Sequence, residues 1–405
     1  MSRVTDVRLR RIYDSRGKET VEATVVSDGG ATGVAGAPSG ASTGTHEVQA
    51  FPNGGVATAL ELGTSAIRPA VRGLALDDQA GFDAKLHEVD GTPNFARIGG
   101  NTATALSVAF ALARAKEQEV DLARSLGAPA RPTTWPAVVG NCLNGGRHAI
   151  GGPDIQEFIA FAANASPNDE VRAALAVHRA VGEELHRRLP THALGRGDEG
   201  GWVAPVGNVE ALDILAGACA KVRDELHLSV HPGVDLAASE FFRGNEYHYR
   251  DRTLDLDGQV AFLGEIVDRY GIRYLEDPLD QEEFDGFARV TAAVGSKCLV
   301  VGDDIYTTRR ERLRTGLDRK SSNAILIKVN QVGTLTDTLA TVALAKASGV
   351  ATVTSHRSGD LPEGWLADLA VAFGSAGLKC GLLGGERVAK LNELLRLGAA
   401  TEAPH

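Results

Sequence analysis

The feature that most constrains this fold is a series of short hydrophobic runs, each of which ends in a charged or polar residue. These end residues are Asp198–Glu199, Asp235, Glu276, Asp303, Lys328, His356 and Lys379. From Glu199 onward the gaps are 36, 41, 27, 25, 28 and 23 residues, and each gap has room for one helix and one strand. Functional groups at successive strand ends are typical of the C-terminal face of a closed β/α barrel. Seven such ends in series argue against the ordinary explanation of any one, a helix cap or a surface ion pair.

Length and the pattern of expected elements predict two domains. At 405 residues the chain exceeds the usual size of one domain. The N-terminal part predicts strands at residues 4–13 and 20–27, followed by helices near 55–72, 77–88 and 101–117. Strands grouped before helices predict an α+β domain, placed at residues 1–130. After a Gly- and Pro-rich linker at 127–132, strands and helices alternate. Residues 133–398 are therefore predicted to form a β/α barrel domain, and the fold class is α/β.

Two local predictions concern the N-terminal part. Residues 33–47 are rich in Gly, Ser, Thr and Ala, which predicts a mobile loop, although a plain linker would have the same composition. The helix near 101–117 is expected to begin at Asn101 or Thr102, since both are suitable N-cap residues.

Composition and the termini argue against several classes of function. The net charge of −10 and the pI of about 5.6 argue against nucleic acid as the main partner. The sequence has no run of 18 apolar residues and no apolar segment near its first residue, so we expect no transmembrane helix, no membrane partner and no signal peptide. The four cysteines form no CxxC pair, which favours buried, reduced thiols in a cytoplasmic protein.

Three carboxylates at strand ends form a candidate metal site. Asp235, Glu276 and Asp303 each close a hydrophobic run, and the ends of barrel strands converge. Converging carboxylates need a cation, and a set made only of oxygen ligands suits Mg²⁺. The competing interpretation is that each carboxylate caps the helix that follows it.

Lys328 closes the run Ala324–Ile327, which is unusual because an ammonium group is costly to remove from water. Only 10 of the 42 lysines and arginines are lysines, so a lysine here is not an effect of composition. In a low-dielectric site an ammonium group loses its proton more easily, which makes Lys328 a candidate general base. Opposite a divalent ion, it would remove a proton α to a carboxylate while the metal stabilised the enediolate, a pairing already known in enzymes of this chemistry.

Further cationic groups suit an anionic substrate. His356, Arg357 and Ser358 together offer positive charge and a hydroxyl group, and the planar fork of arginine suits a phosphate. Lys379, a second lysine at a strand end, suits a carboxylate. Structural charge pairing is the alternative explanation for this group.

Additional acidic and imidazole groups lie in two Gly-rich segments. Glu199 lies in Gly197–Gly201, which by itself would be interpreted as a plain surface turn. His148 follows Asn144-Gly145-Gly146, and Gln156-Glu157 comes shortly after it. A lone histidine is more often a structural residue than a functional one, so these groups gain weight only from the pattern that surrounds them.

The chain contains eleven motifs in a characteristic order. They are Asp14–Gly17, Pro38–Gly44, Asn144–Gly146, Gln156–Phe158, Gly197–Gly201, Asp235–Phe241, Glu276–Pro278, Val301–Asp304, Ile327–Gly333, Ser355–Gly359 and Glu386–Lys390. Any one of them is weak evidence, but the ordered set resembles the enolase family over nearly the whole chain. The resemblance implies an N-terminal α+β domain followed by a modified TIM-type barrel with irregular first strands. It also implies a lyase that converts 2-phosphoglycerate to phosphoenolpyruvate through an enediolate.

The resemblance implies two Mg²⁺ ions per active site. Asp235, Glu276 and Asp303 would bind the tighter ion. Ser42 would close on the second ion, which the substrate phosphate carries. Two metal ions would offset the negative charge that accumulates on the intermediate.

The resemblance also implies the roles of the remaining site residues. Lys328 would remove the α-proton of the substrate, and Glu199, helped by Glu157, would protonate the departing hydroxyl group. The other expected contacts are Lys379 with the substrate carboxylate, Arg357 and Ser358 with its phosphate, and His148, His356 and Gln156 around them. Base and acid would then act on opposite faces of the intermediate.

Glu22 and Arg396 match family positions that pair across a dimer interface, so we expect at least a homodimer. The chain departs from the usual family sequence at 149–154, 306–309 and 360–364. These departures motivate an alternative: an enolase-like enzyme of secondary metabolism, such as carboxyphosphonoenolpyruvate synthase of phosphonate biosynthesis. The expected ligand is thus a small phosphorylated, or phosphonylated, 2-hydroxy acid. A third hypothesis is a non-catalytic scaffold protein. The intact acidic and lysine residues argue against it.

Overall fold

The computed structural model describes residues 2–40 and 44–401. The strands within these residues are β1 (Val4–Tyr13), β2 (Glu19–Ser27), β3 (Thr32–Gly36), β4 (Ala137–Asn144), β5 (Glu157–Ala162), β6 (Gly195–Arg196), β7 (Trp202–Val203), β8 (Val230–Asp235), β9 (Phe242–Arg243), β10 (Glu246–His248), β11 (Thr253–Leu254), β12 (Tyr274–Glu276), β13 (Leu299–Gly302), β14 (Ala324–Ile327), β15 (Ala351–Ser355) and β16 (Gly377–Gly381).

The α-helices of the described residues alternate with these strands in the second half of the chain. They are α1 (Gly55–Leu62), α2 (Arg68–Val71), α3 (Gln79–Asp90), α4 (Gly100–Glu117), α5 (Leu122–Ser125), α6 (Pro167–Arg188), α7 (Asn208–Leu226), α8 (Leu256–Tyr270), α9 (Phe284–Val294), α10 (Arg310–Arg319), α11 (Val329–Val332), α12 (Leu335–Ala347), α13 (Trp365–Ala372) and α14 (Gly385–Ala399). A π-helical turn, Gly63–Ile67, joins α1 to α2.

The N-terminal part is an antiparallel sheet of β1, β2 and β3 with α4 packed against β2 and β3. The contact is close at Gly33, where an added Cβ would lie 2.0 Å from the Ala109 carbonyl oxygen, so only glycine allows it. The predicted strands and helices of this part are confirmed, with boundaries that differ by no more than two residues.

Two local predictions for the N-terminal part are wrong. Residues 33–36 belong to β3 rather than to a mobile loop, because they pair with β2 in the sheet. Helix α4 begins at Gly100 with Gly99 at the N-cap position. Asn101 and Thr102 lie inside the first turn, where both are fully buried. Local capping preference was overridden here by packing.

The second part is a closed eight-stranded barrel, which confirms the predicted fold class. Its strands follow the order β4, β5, β8, β12, β13, β14, β15 and β16, and β16 pairs with β4 to close it. Strand β5 runs antiparallel to both of its neighbours, while the other barrel strands are mutually parallel. The barrel is therefore the modified kind that the resemblance implies, with its irregularity at the second strand.

The predicted strand ends are confirmed at five positions. Asp235 and Glu276 are the last residues of β8 and β12, and Asp303, Lys328 and His356 directly follow β13, β14 and β15. These five side chains start from one end of the barrel because the carboxyl ends of parallel strands share an edge.

The prediction is wrong for Asp198–Glu199 and approximate for Lys379. Asp198 and Glu199 lie in the turn between β6 and β7, a short hairpin that pairs with the end of β4 rather than forming a barrel strand. Lys379 is the third of five residues in β16. The side chains of Glu199 and Lys379 still reach the same end of the barrel.

Residues of the N-terminal part bond to the segments that follow the barrel strands. Ser39 forms an isolated bridge with Gly359, and the Val48 amide donates to the Gln331 carbonyl. Asn330 donates to the Pro38 carbonyl at 3.0 Å. These bonds place the N-terminal segment over the carboxyl ends of the barrel strands. Among the helices described above, none is long and apolar enough to cross a membrane.

Candidate active site

One small cavity at the carboxyl ends of the barrel strands collects the predicted site residues. It is lined by Gly40, His148, Gln156, Glu157, Glu199, Asp235, Asp303, Lys328, Ser355, His356, Arg357, Ser358 and Lys379. Every predicted site residue except Glu276 and Ser42 is therefore in its wall. Glu276 adjoins the cavity through its bonds to Lys379, and Ser42 lies outside the described residues.

Lys379 lies at the centre of a buried group of carboxylates. Its ammonium group donates to Asp235 Oδ2 at 3.0 Å and to both Glu276 oxygens at 2.8 Å, and it lies 3.3 Å from Glu157 Oε1. Tyr274 donates its hydroxyl to Glu276 Oε2 at 2.5 Å. Burial, together with repulsion from Asp235, raises the pKa of Glu276 to about 8 despite the attraction of Lys379. This part of the site concentrates negative charge around one buried cation.

Lys328 is paired with Asp303, to whose Oδ2 it donates. Burial lowers the pKa of Lys328, but attraction to the neighbouring carboxylates, Asp303 first and Glu276 after it, leaves the pKa above its ordinary value. Burial therefore acts in the direction expected from the sequence, and the neighbouring carboxylates reverse the net shift. The Lys328 amide donates to Thr308 Oγ1 at 2.9 Å, and Gln331 donates to Asp303 Oδ1 at 2.9 Å. These bonds fix both members of the pair.

The acidic residues beside Lys328 have the chemistry of a divalent-metal site. Among the described residues, ligand atoms lie within 4.8 Å of one another in the groups Asp277, Asp303, Asp304 and His148, Glu157, Glu199. The first group offers only oxygen, as Mg²⁺ prefers. Burial and mutual repulsion raise the pKa of Asp304 to about 7 and that of Asp277 well above its usual range. A divalent cation would relieve that repulsion, so these residues fit one.

Of the three predicted metal ligands, only Asp303 belongs to the compact acidic group. Asp235 and Glu276 are instead linked to each other by Lys379. Asp303 is nevertheless close enough to Glu276 to help raise its pKa. The acidic cluster is thus present, while the ligand set within it stays a prediction.

Glu157 reaches the cavity because its strand runs in the opposite direction from the other barrel strands. As the first residue of antiparallel β5, it lies opposite Asn144 and Asp235, the last residues of β4 and β8. Its Oε2 is buried and has no hydrogen-bond partner within the described residues. Burial and then repulsion from Glu199 raise the pKa of Glu157 well above its usual range. Glu157 consequently holds a proton more readily than an ordinary glutamate.

The pKa of Glu199 is shifted in the opposite direction from that of Glu157. Its Oε2 accepts from Asn141 Nδ2 at 3.2 Å, and it lies 3.4 Å from His356 Nε2 and 3.9 Å from His148 Nδ1. Burial opposes ionisation, but the two histidines hold the pKa of Glu199 well below its usual range. Glu157 and Glu199 therefore form a pair whose pKa values are pushed apart, which favours the proton on Glu157 over Glu199 and suits acid–base work.

Arg357 is held by a residue of the N-terminal part. Its Nη1 donates to Glu47 Oε2 at 2.9 Å and to Asn330 Oδ1 at 2.9 Å, and its Nη2 donates to Glu47 Oε1 at 3.1 Å. The side chains of Arg357 and Glu47 are both buried. Ser358, the next residue, also lines the cavity. The guanidinium group is thus oriented at the wall where the sequence predicts an anion.

Sequence reasoning missed three residues that organise the site. Glu47 lay in a segment interpreted as a mobile loop. Asp277 accepts the amides of Asp303 and Asp304, each at 2.9 Å, and the doubled acids Glu276-Asp277 and Asp303-Asp304 were a signal of this. Arg387 was noted only as part of a motif, although it reaches the site from α14, as described below.

The fold and the cavity together define a class of protein. A closed TIM-type barrel whose carboxyl end brings buried lysines together with a pair of carboxyl groups with separated pKa values has the site of an enzyme of acid–base chemistry. Residues 132–403 match the family model described as "Enolase, C-terminal TIM barrel domain", and residues 4–126 match "Enolase, N-terminal domain". The chain belongs to the enolase family.

Similar proteins from archaea cover nearly the whole chain. The enolase of Methanothermobacter thermautotrophicus is 46% identical over 97% of this chain and 96% of its own length. The enolase of Picrophilus torridus is 41% identical over 97% and 98%, respectively. The enolase of Halobacterium salinarum is 42% identical over 98% and 99%. The resemblance seen in the motifs is therefore confirmed at full length.

Proposed function

We propose that this chain is a lyase of the phosphopyruvate hydratase type, which dehydrates 2-phosphoglycerate reversibly to phosphoenolpyruvate. The observation that carries the proposal is that one cavity brings together Lys328, Lys379 and the Glu157–Glu199 pair. This arrangement provides a base, an acid and cationic groups for a small substrate that carries a carboxylate and a phosphate. Membership of the enolase family supports the same reaction.

In this proposal Lys328 removes the proton at C2 of the substrate. Its ammonium group lies at the cavity wall, and its position is fixed by bonds from both its backbone and its side chain. Lys328 must give up the proton that Asp303 stabilises before it can accept another. A positive charge that offsets Asp303 would therefore make it easier for Lys328 to lose its proton.

Glu157 and Glu199 supply the proton for the departing hydroxyl group at C3. The raised pKa of Glu157 makes it the proton donor of the pair, and Glu199 accepts a hydrogen bond from Asn141. His148 and His356 lie beside Glu199, and all three side chains are buried. Proton transfer from this pair would leave it with two negative charges, which the nearby Lys379 ammonium stabilises.

The substrate anion would be bound by the cationic wall of the cavity. Lys379 would meet the carboxylate, and Arg357 with Ser358 would meet the phosphate, next to Gln156, whose buried Oε1 has no hydrogen-bond partner within the described residues. Because Glu47 already fixes the guanidinium group, little conformational entropy is lost when an anion binds.

Magnesium is the proposed cofactor, with two ions per site. Asp303, with Asp235 and Glu276, would hold one ion, and Ser42 would meet the other. When bound, Mg²⁺ would offset the charge of Asp303 and of the substrate carboxylate, which makes it easier for Lys328 to lose its proton. The oxygen-only acidic cluster supports the choice of metal.

The wider setting is also proposed. We place the enzyme in glycolysis in the cytoplasm and expect a homodimer or a higher homo-oligomer, with Glu22 and Arg396 at the interface. The domain division at residues 1–130 and 133–398 remains part of the proposal. The relatives named above are all called enolase, and no observation favours the phosphonate alternative.

The proposal is tested by the ultraviolet absorbance of phosphoenolpyruvate as it forms from 2-phosphoglycerate. We expect fast product formation with Mg²⁺ that stops when excess chelator is added and resumes with fresh Mg²⁺. A folded protein that binds Mg²⁺ but gives no product would contradict the proposal. The same assay with a phosphonate donor would then decide whether the alternative applies.

A further inference from the structure

Arg387 is a fully buried cation that the proposed mechanism does not use. From α14 its Nη1 donates to His356 Nδ1 at 2.7 Å, to the Arg357 carbonyl at 2.7 Å and to Asp360 Oδ2 at 3.2 Å. Its Nη2 donates to the carbonyls of Asp198 at 2.9 Å and Ser358 at 2.6 Å. One guanidinium group thus contacts the segments on both sides of the cavity.

The bond to His356 determines which ring nitrogen carries the hydrogen. A guanidinium group can only donate hydrogen bonds, so His356 Nδ1 must accept. The Gly381 amide points at the same nitrogen from 3.3 Å and is also a donor. With Nδ1 accepting, the hydrogen of the neutral ring lies on Nε2, which is 3.4 Å from Glu199 Oε2.

The electrostatics agree with a neutral ring. Burial lowers the pKa of His356 to about 4, and the Arg387 charge adds to this effect against the pull of Glu199. At neutral pH the imidazole is therefore uncharged, and only one of its two ring nitrogens carries a hydrogen. The geometry at Nδ1 leaves Nε2 as the only position for it.

We propose that Arg387 is a positioning residue, which fixes His356 as the Nε2–H tautomer so that the ring donates to Glu199. The consequence for the reaction rests on the proposed function, since Glu199 is part of its proton-donating pair. The tautomer itself does not rest on it, because it follows from the hydrogen bonds of the folded protein. A hydrogen-bond donor on Glu199 keeps this carboxylate ionised and turned toward the cavity.

Lys390 offers a matched control on the same helix. It is buried like Arg387 and shares the Asp360 carboxylate, which its Nζ approaches to 2.9 Å, and it donates to the Leu361 carbonyl at 2.7 Å. Its bonds do not include His356. Loss of either cation removes a buried partner of Asp360, but only Arg387 sets the tautomer.

The first test is nitrogen NMR of the full-length protein labelled at histidine, without substrate. The His356 signals are assigned by their loss in His356→Gln. We expect wild-type Nδ1 to resonate as an unprotonated, accepting nitrogen and Nε2 to carry the hydrogen. In Arg387→Met the ring should lose this single tautomer, while Lys390→Met should keep it. A hydrogen on Nδ1 in the wild type would overturn the proposal, whatever reaction the enzyme catalyses.

The second test uses turnover of 2-phosphoglycerate. Arg387→Met should lower kcat roughly 10- to 100-fold with KM little changed, as expected for a residue that acts through another, and Lys390→Met should change kcat far less. Equal losses in the two variants would reduce Arg387 to a structural role and overturn the proposal.

Amide replacements of His356 test the tautomer without touching Arg387. Glutamine can place its NH₂ near the position of Nε2, whereas asparagine places its own near Nδ1. His356→Gln should therefore retain at least about tenfold more activity than His356→Asn, a difference of about 1.4 kcal/mol in barrier height. The reverse order would contradict an Nε2–H donor.

Discussion

The two sides of the cavity are built by different parts of the barrel. Lys328, Asp303 and Glu276 come from regular parallel strands, each at or just after the last residue. Glu157 comes from the first residue of the only antiparallel barrel strand within the described chain, and Glu199 comes from a hairpin beside the barrel. The base side therefore follows the rule of β/α barrels, and the acid side depends on departures from it.

The comparison also holds for electrostatics. On the base side, cations and carboxylates are directly paired, and the Asp303 charge raises the pKa of Lys328. On the acid side, where Lys379 approaches Glu157 to 3.3 Å, two carboxyl groups have pKa values pushed in opposite directions. A regular barrel end thus provides paired charges, while the irregular strand brings one more carboxyl group into a site where burial favours its protonated form.

The largest effect is expected from the base side. Lys328→Ala should lower the turnover of 2-phosphoglycerate by roughly 1,000-fold or more. The other described lysine at the cavity, Lys379, cannot replace it as the base because it is already paired with three carboxylates. Mg²⁺ binding should persist. Lys346→Ala, a change at an exposed lysine, is the control. Turnover above a few per cent of wild type would show that the base is another residue.

A smaller loss is expected from the acid side. Glu199→Gln should slow dehydration roughly 100- to 1,000-fold, since a neutral amide cannot share the proton held on Glu157. Steady-state kinetics would measure it, with circular dichroism as the check on folding. If Glu199→Gln slowed every step of the reaction as much as Lys328→Ala does, the distinction between the two sides would be removed.

Metal binding should separate the two sides as well. Glu276→Gln should weaken Mg²⁺ binding by at least roughly tenfold, because it removes one negative charge from the predicted ligand set. Glu157→Gln, the matched change on the acid side, should leave the affinity nearly unchanged. Calorimetric titration with Mg²⁺ measures both variants. Equal weakening would place the metal between the two sides.

The smallest effect concerns stability against pH in the presence of chelator. The folded-state pKa of Glu157 is raised above its unfolded value of about 4.3, so its contribution is present below that value and is lost as the pH rises through the folded pKa. The folded-state pKa of Glu199 is lowered, so its contribution is present above about 4.3 and is lost as the pH falls.

Urea denaturation between acid and alkaline pH would measure these contributions. Glu157→Gln should reduce the loss of unfolding free energy toward alkaline pH, and Glu199→Gln should reduce the loss toward acid pH. Two variants with the same pH dependence as the wild type would show that the carboxyl groups do not have separated pKa values.

The difference between the two sides explains what the sequence could and could not predict. The spacing of charged strand ends predicted the barrel and the strand-end positions of Asp235, Glu276, Asp303 and Lys328, because this spacing is a pattern in the sequence itself. The spacing could not place Glu157, since the antiparallel direction of β5 depends on its pairing with β4 and β8.

Other residues escaped prediction for related reasons. Glu47 is separated by 310 residues from its partner Arg357, and Arg387 lies 31 residues from His356 on a helix behind the barrel. Neither contact leaves a periodic signal. The net direction of the Lys328 pKa shift also depends on the Asp303 carboxylate, which burial arguments from sequence do not include.

The most direct test of the two-sided site is exchange of the C2 proton of 2-phosphoglycerate in deuterated water, followed by NMR with Mg²⁺ present. The base and acid act on different atoms, so Glu199→Gln should still exchange the C2 proton while forming little phosphoenolpyruvate. Lys328→Ala should do neither. Exchange that disappears in Glu199→Gln together with dehydration would contradict the division of work between the two sides.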